Sequence, residues 1–184
     1  MPLLVSAFLY TQAQEKSESG TRIFKKFKTD VSIGYAIQQG AGKTSGTKGG
    51  ALFVIEPKYA VMDALSVGLR MEAAVTANID QTGNSSSSAK ANLSYLLTGD
   101  YYFSNNKFRP FGGAGAGVFT TASVDDKTEI ISAADIPQTS NFGFMARTGF
   151  EYGHLRFGLE YNFVPDNAGY FGIKLGAVIG GGRK

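Results

Sequence analysis

The sequence predicts an all-β fold: an eight-stranded antiparallel up-and-down barrel that crosses a membrane. Three observations carry that expectation. Apolar and polar residues alternate through eight segments, the period of a strand with unlike faces. The connections between these segments alternate between tight turns and long polar loops. The composition, with 24 Gly, 14 Phe and 9 Tyr but no Trp and no Cys, suits β-structure and not a soluble α/β enzyme.

The first residues stand apart from the fold. Leu3 to Tyr10 is an apolar run, too short to span a bilayer as a helix, which takes about 20 residues. The small-x-small pattern Thr11-Gln12-Ala13 follows, and then the polar stretch from Gln14 to Ser19. Residues 1–13 therefore read as the remnant of a secretory signal peptide, although Met1-Pro2 supplies no basic n-region. Residues 14–26 read as a segment preceding the barrel, with Lys25, Lys26 and Lys28 as a solvated flank. The barrel itself is expected over 27–180, and 181–184 form a tail.

The strands are expected, in order, at 27–38, 51–61, 65–77, 92–103, 109–121, 141–152, 155–163 and 170–177. The third shows the alternation most fully. Leu65, Val67, Leu69, Met71, Ala73, Val75 and Ala77 fall on one face, and Ser66, Gly68, Arg70, Glu72, Ala74 and Thr76 on the other. Leu155 to Phe163 repeats the pattern without an exception, and Tyr170 to Ala177 follows it. Most of these segments exceed the common strand length of about 5–6 residues and match what a tilted strand needs to cross hydrocarbon. Short turns are expected at 62–64, 104–107 and 153–154. Long loops are expected at 40–50, 79–90 and 123–140, with a shorter one at 165–168. Tight turns at one end and long loops at the other describe a membrane barrel.

Alternation alone does not say which face points outward, because a lipocalin-like soluble barrel alternates as well. The aromatic load favours the membrane. Phe142, Phe144, Phe150, Tyr152, Leu155, Phe157, Leu159, Tyr161, Phe163, Leu93, Tyr95, Leu97, Tyr101 and Phe103 all fall on the apolar faces. Eight strands leave an interior just wide enough for ordinary side chains, so these would not fit inside. Tyr59, Tyr101, Phe103, Tyr152, Phe163, Tyr170 and Phe171 lie near strand ends, where interfacial girdles belong. The opposite face then lines the lumen. It carries Asp30, Glu56, Lys58, Arg70, Glu72, Asp100, Arg147, Glu151, Arg156, Glu160 and Lys174. Six acids against five bases predict a lumen charge network of cross-barrel ion pairs, since an unpaired charge in so narrow a space is costly.

The segments Phe108-Arg109-Pro110-Phe111-Gly112-Gly113-Ala114-Gly115-Ala116-Gly117 and Tyr170-Phe171-Gly172-Ile173-Lys174-Leu175-Gly176 resemble the outer-membrane β-barrel domain family of Gram-negative bacteria. The resemblance is to small eight-stranded proteins similar to outer-membrane protein X and to the barrel of outer-membrane protein A, and it covers about Lys28 to Gly180. It implies export, an outer-membrane location, and outer-membrane lipid and the assembly machinery as partners. Members often end in an aromatic residue, whereas this chain ends Ile179-Gly180-Gly181-Gly182-Arg183-Lys184.

Residues that could carry chemistry are few. The absence of Cys excludes disulfides, zinc fingers, Fe–S clusters and a Cys nucleophile. A net charge of +3 is too small to indicate nucleic acid, despite a pI near 9.0. Gly40-Ala41-Gly42-Lys43-Thr44 resembles the end of a phosphate-binding loop, but Ile37 stands where another Gly is needed and no helix former follows. Gly112 to Gly117 fails G-x-G-x-x-G at Val118. Asp125, Asp126 and Glu129 are too few for a hard-cation site, which takes about 6–8 oxygen ligands. The lone His154 sits in a tight turn, and Asn84-Ser85-Ser86 is a sequon without meaning in a bacterial outer membrane. No catalytic, cofactor or metal site is expected. The function expected is a non-enzymatic envelope-structural or surface-interaction role, with loops 40–50, 79–90 and 123–140 available to an extracellular ligand. The alternatives are a small lipid-modifying enzyme, a narrow porin-like channel and, further off, a soluble carrier of an apolar ligand.

Overall fold

The computed structural model describes residues 23–38, 49–77, 88–125, 138–165 and 168–183. Eight strands make up almost all of it. They are β1 (Phe27–Gln38), β2 (Gly49–Ala60), β3 (Leu65–Ala77), β4 (Ser88–Tyr102), β5 (Phe108–Asp125), β6 (Gln138–Tyr152), β7 (Leu155–Phe163) and β8 (Tyr170–Gly180). Each pairs antiparallel with its sequence neighbours, and β1 pairs with β8 from Lys28↔Gly180 to Gln38↔Tyr170, so the sheet closes. Closure leaves no edge strand and satisfies the backbone within the sheet, as hydrocarbon requires.

β1, β3 and β7 span the residues that alternation marks out. Three others run further toward the long-loop end than expected: β4 begins at Ser88, β5 continues to Asp125 and β6 begins at Gln138. β2 likewise begins at Gly49, whereas β8 runs on to Gly180 at the tight-turn end, beside Lys28. Parts of the expected loops 40–50, 79–90 and 123–140 therefore belong to the sheet. The reason is physical: toward the loops the apolar alternation ends, but the ladder need not. Thr121↔Thr139 and Ala122↔Gln138 continue the β5–β6 ladder, and the Thr120 and Ser140 hydroxyls bond across it at 2.9 Å. The remaining parts of those loops lie outside the described residues. So do the signal-peptide reading of 1–13, residues 14–22 of the segment before the barrel, the phosphate-loop-like stretch at 40–44, the sequon at Asn84, and Asp126 and Glu129.

The outward face is apolar on every strand. Ile33, Phe53, Leu69, Leu97, Phe103, Phe142 and Leu175 are all exposed, Leu97 at 69 %. A water-soluble monomer seldom exposes an apolar patch larger than about 300–600 Å². Here the patch is a belt around the whole barrel, which suits hydrocarbon and not water. Tyr59, Tyr101, Phe103, Phe108 and Tyr152 gather at the tight-turn end of this belt. Phe142 and Phe144 meet edge-on with ring centroids 5.3 Å apart near the other end.

The tight-turn end is closed in part by the chain before β1. The N–H groups of Ile23 and Phe24 donate to the Asp63 carboxylate at 3.3 Å, and Lys25 N–H donates to Gly182 at 3.1 Å. Phe24 forms a bridge with Arg183. The turn after β6 is Gly153-His154, and Gly153 takes a φ of 63°, a left-handed conformation that glycine adopts without strain.

Candidate functional site

Strand parity puts long charged side chains on the inner face, and closure of the sheet brings them together. All eleven residues of the expected lumen set are buried inside the barrel, and Lys28 and Arg109 join them. The interior thus holds six acids and seven bases among the described residues. Lys28 is not part of a solvated flank: β1 begins at Phe27, so Lys28 falls on the inner face. Tyr170 is likewise not part of a girdle, because parity in β8 turns it inward, where it is 3 % exposed.

The charges form two clusters. The larger lies toward the tight turns and is centred on Arg156, whose Nε meets Asp30 at 2.9 Å. Its Nη2 meets Asp100 at 2.9 Å and its Nη1 meets Glu151 at 2.5 Å. The same guanidinium lies 3.7 Å above the Phe111 ring. Arg147 makes a two-pronged contact with Glu56, at 2.7 and 2.6 Å, and a third bond to Asp100 at 2.7 Å. Lys58 donates to Asp100 at 2.9 Å, and Lys28 to both Glu151 oxygens at 2.9 Å. Tyr102 donates to Glu151 at 2.6 Å, and Thr98 to Glu56 at 2.5 Å.

The second cluster lies toward the long loops. Arg70 grips Glu160 with both terminal nitrogens, at 2.6 and 2.5 Å, and also bonds Glu72. Lys174 meets Glu160 at 2.5 Å, and Tyr170 donates to Glu72. Beyond it, Ala36, Leu52, Ala74, Leu96, Phe119 and Tyr170 pack into an apolar plug with Val164 against them. Two charged layers and an apolar one cross the bore.

Arg156 and Glu151 oppose one another directly on β7 and β6, but other partners are not neighbours on the sheet. Directly opposed inner residues of β1 and β2 are like-charged: Lys28 faces Lys58 and Asp30 faces Glu56. Like charges so placed repel. Asp30 and Glu56 find their counter-charges across the lumen, on Arg156 of β7 and Arg147 of β6. These cross-lumen pairs therefore form only once the cylinder is closed.

Glycine makes the room. A Cβ on Gly113 would collide with the Asp100 carboxylate and lie 2.6 Å from the Gly99 carbonyl oxygen. Gly113→Val should cost about 1–3 kcal/mol by overpacking, read as a lower urea midpoint for the refolded protein. Asn162 offers the opposite test. Its side chain is fully buried and neither amide atom has a hydrogen-bond partner among the described residues. Asn162→Leu, close in shape, should raise stability by about 1–3 kcal/mol by removing an unsatisfied amide.

Of the minor motifs weighed in the sequence, His154 lies among the described residues. His154 is exposed in the turn between β6 and β7, and its backbone carbonyl accepts from Val178 at 2.6 Å. Among the described residues no group of three or more His, Asp or Glu could hold a metal ion.

No protein-family model matches the chain, and no curated protein matches it in sequence. Solved structures do match in shape. Neisserial surface protein A, NspA, superposes with a TM-score of 0.61 at 15 % identity, over 85 % of this chain and 98 % of that one. OprG of Pseudomonas aeruginosa gives 0.52 at 13 % identity, over 86 % and 98 % of the two chains. The N-terminal β-barrel domain of OprF from the same organism gives 0.51 at 12 %, over 85 % and 99 %. This is the fold of the eight-stranded outer-membrane barrels. On that fold the apolar belt faces outward and the charged clusters occupy the lumen.

Proposed function

We propose that this barrel resides in the outer membrane and serves a non-enzymatic role, structural in the envelope or interactive at the cell surface. The filled bore carries the reading. A lumen crossed by two ion-paired layers and capped by Leu52, Leu96, Phe119 and Tyr170 has no continuous water column for a solute. That geometry favours a sealed barrel over the narrow porin-like alternative. A lipid-modifying enzyme would need a nucleophile and base together at the outer rim; the chain's only His is His154, which stands at the tight-turn end. Purified protein in planar bilayers should show no stable, large conductance. Steady porin-sized channels from the refolded monomer would overturn the reading.

Outer-membrane lipid surrounds the belt in this reading, the assembly machinery inserts the barrel, and residues 1–13 direct export. Loops 40–50, 79–90 and 123–140 are the segments open to an extracellular ligand. An even strand number places both termini on the side of the tight turns, taken as periplasmic. Cysteines at Thr44, Ser86 and Asp126 should react with an impermeant maleimide on intact cells, and one at Asn105 should stay silent. Labelling at Asn105 alone would invert the topology.

A further inference from the structure

We infer that the tight-turn mouth of the barrel is a binding site for a small organic anion, a phosphate or carboxylate borne on an apolar body. A cavity of about 310 Å³ opens there, lined by Phe24, Lys28, Lys107, Arg109, Val178 and Arg183 among others. That volume lies at the lower end of what small-molecule sites use, about 300–1,000 Å³.

The charge balance points to an anion. The charged cluster beneath the mouth has four acids, Asp30, Glu56, Asp100 and Glu151, against five bases, Lys28, Lys58, Arg109, Arg147 and Arg156. The surplus falls on Arg109, which is 8 % exposed. Its Nε and Nη2 donate to the backbone carbonyls of Ser104 and Asp63, at 3.3 and 2.7 Å. Its Nη1 lies 4.0 Å from Glu151, beyond hydrogen-bond reach. Glu151 is already engaged by Lys28, Arg156 and Tyr102. The Asp63 carboxylate is engaged by the N–H groups of Ile23 and Phe24. Arg109 is therefore a buried guanidinium whose carboxylate partner, Glu151 opposite it on β6 and on the cavity lining, stands at 4.0 Å and is shared with the closer Lys28 and Arg156. Its charge is compensated only in part, which is costly in a buried place. Lys107 and Arg183, both exposed, add positive charge at the rim of the same cavity.

The walls supply the second half of the recognition. Phe24 stacks on the Arg109 guanidinium at 3.9 Å, with Tyr102 on the guanidinium at 4.2 Å. This fixes the fork and leaves the Phe24 ring and Val178 on the cavity lining. An anionic head meeting Arg109 and Lys107 would leave an apolar ring or short chain against those groups. The mouth is flanked by exposed Asn105 and Asn106, so the ligand enters from water and not from the bilayer.

The test uses the full chain refolded into nanodiscs, with amide shifts of Gly180, Gly181 and Gly182 as the readout. Phenyl phosphate is the probe, with inorganic phosphate and phenol as its separate halves. Phenyl phosphate should bind saturably, and about tenfold more tightly than either half. Arg109→Gln should weaken it by about tenfold or more, the loss of a charge-assisted bond. Should that variant fail to fold, the surface pair Lys107→Gln and Arg183→Gln should still weaken binding severalfold. Affinity should be the same in phosphatidylcholine and phosphatidylglycerol nanodiscs. Absent saturable shifts, binding indifferent to these substitutions, or displacement by the anionic lipid would each overturn the proposal.

Discussion

Arg156→Met should lower the free energy of unfolding by about 3–5 kcal/mol, the cost of breaking a buried ion pair from one side. The size follows from what the substitution strands. Asp30, Asp100 and Glu151 all take Arg156 as a partner within 2.9 Å, and all three are almost wholly buried. Arg147 and Lys58 remain for Asp100 and Lys28 for Glu151, but Asp30 keeps only Lys58, which stands 3.7 Å away and already serves Asp100. Arg156→Lys should fall between wild type and Met, because it keeps the charge and loses the fork that reaches three carboxylates at once. Urea titration of the heat-modifiable gel band measures all three proteins. Added salt should leave their order unchanged, since buried pairs are poorly screened. A Met variant as stable as wild type would mean that the ion pairs do not organise the lumen.

Leu69→Arg should cost about 2–4 kcal/mol of folding into bilayers, the penalty for a cation near the midplane of the lipid face. Leu69 is 55 % exposed midway along β3, opposite the still more exposed Leu97 of β4. Phe103→Arg, just past β4 at the tight-turn end of the belt, should cost only about 0–1 kcal/mol, since its charge reaches the interface. Folding yield into vesicles against urea concentration gives both figures. Equal tolerance at the two positions would remove the case for a lipid-facing belt.

The architecture was legible because alternation is a local property. Leu65 to Ala77 and Leu155 to Phe163 state both their extent and their two faces in the residues themselves. Where strands run on past the belt, as at Ser88 to Lys90 and Gln138 to Ser140, the same signal vanishes while the ladder continues. Membership of the lumen set was legible through parity, with two omissions that have particular causes. Lys28 sits beside Lys25 and Lys26 and reads as one basic run, although the strand that starts at Phe27 turns it inward. Arg109 lies at the start of β5, where its inward parity relative to Gly113 was the signal that could have found it.

Partner identity across the lumen was not legible. Arg147 and Glu56 lie 91 positions apart in the chain and meet only across a closed cylinder, while sheet neighbours such as Asp30 and Glu56 repel. Nor could alternation show how full the lumen is. Parity alone suggests that Ser66 and Asn162, both on the polar face, would tolerate an added charge. Both are buried in a packed interior, so Ser66→Arg and Asn162→Lys should be costly as well.

Everything above depends on which face meets lipid, and two adjacent leucines report on it. Leu96 is 1 % exposed within the apolar plug, and Leu97 is 69 % exposed on the belt. The same contrast recurs between Leu52 inside and Leu69 and Leu175 outside. With methyl-labelled protein in nanodiscs carrying a nitroxide on the lipid chains, the Leu97, Leu69 and Leu175 methyl signals should broaden. Those of Leu96 and Leu52 should stay sharp. Broadening of Leu96 and Leu52, with Leu97 spared, would contradict the membrane orientation and the sealed, ion-paired lumen built on it.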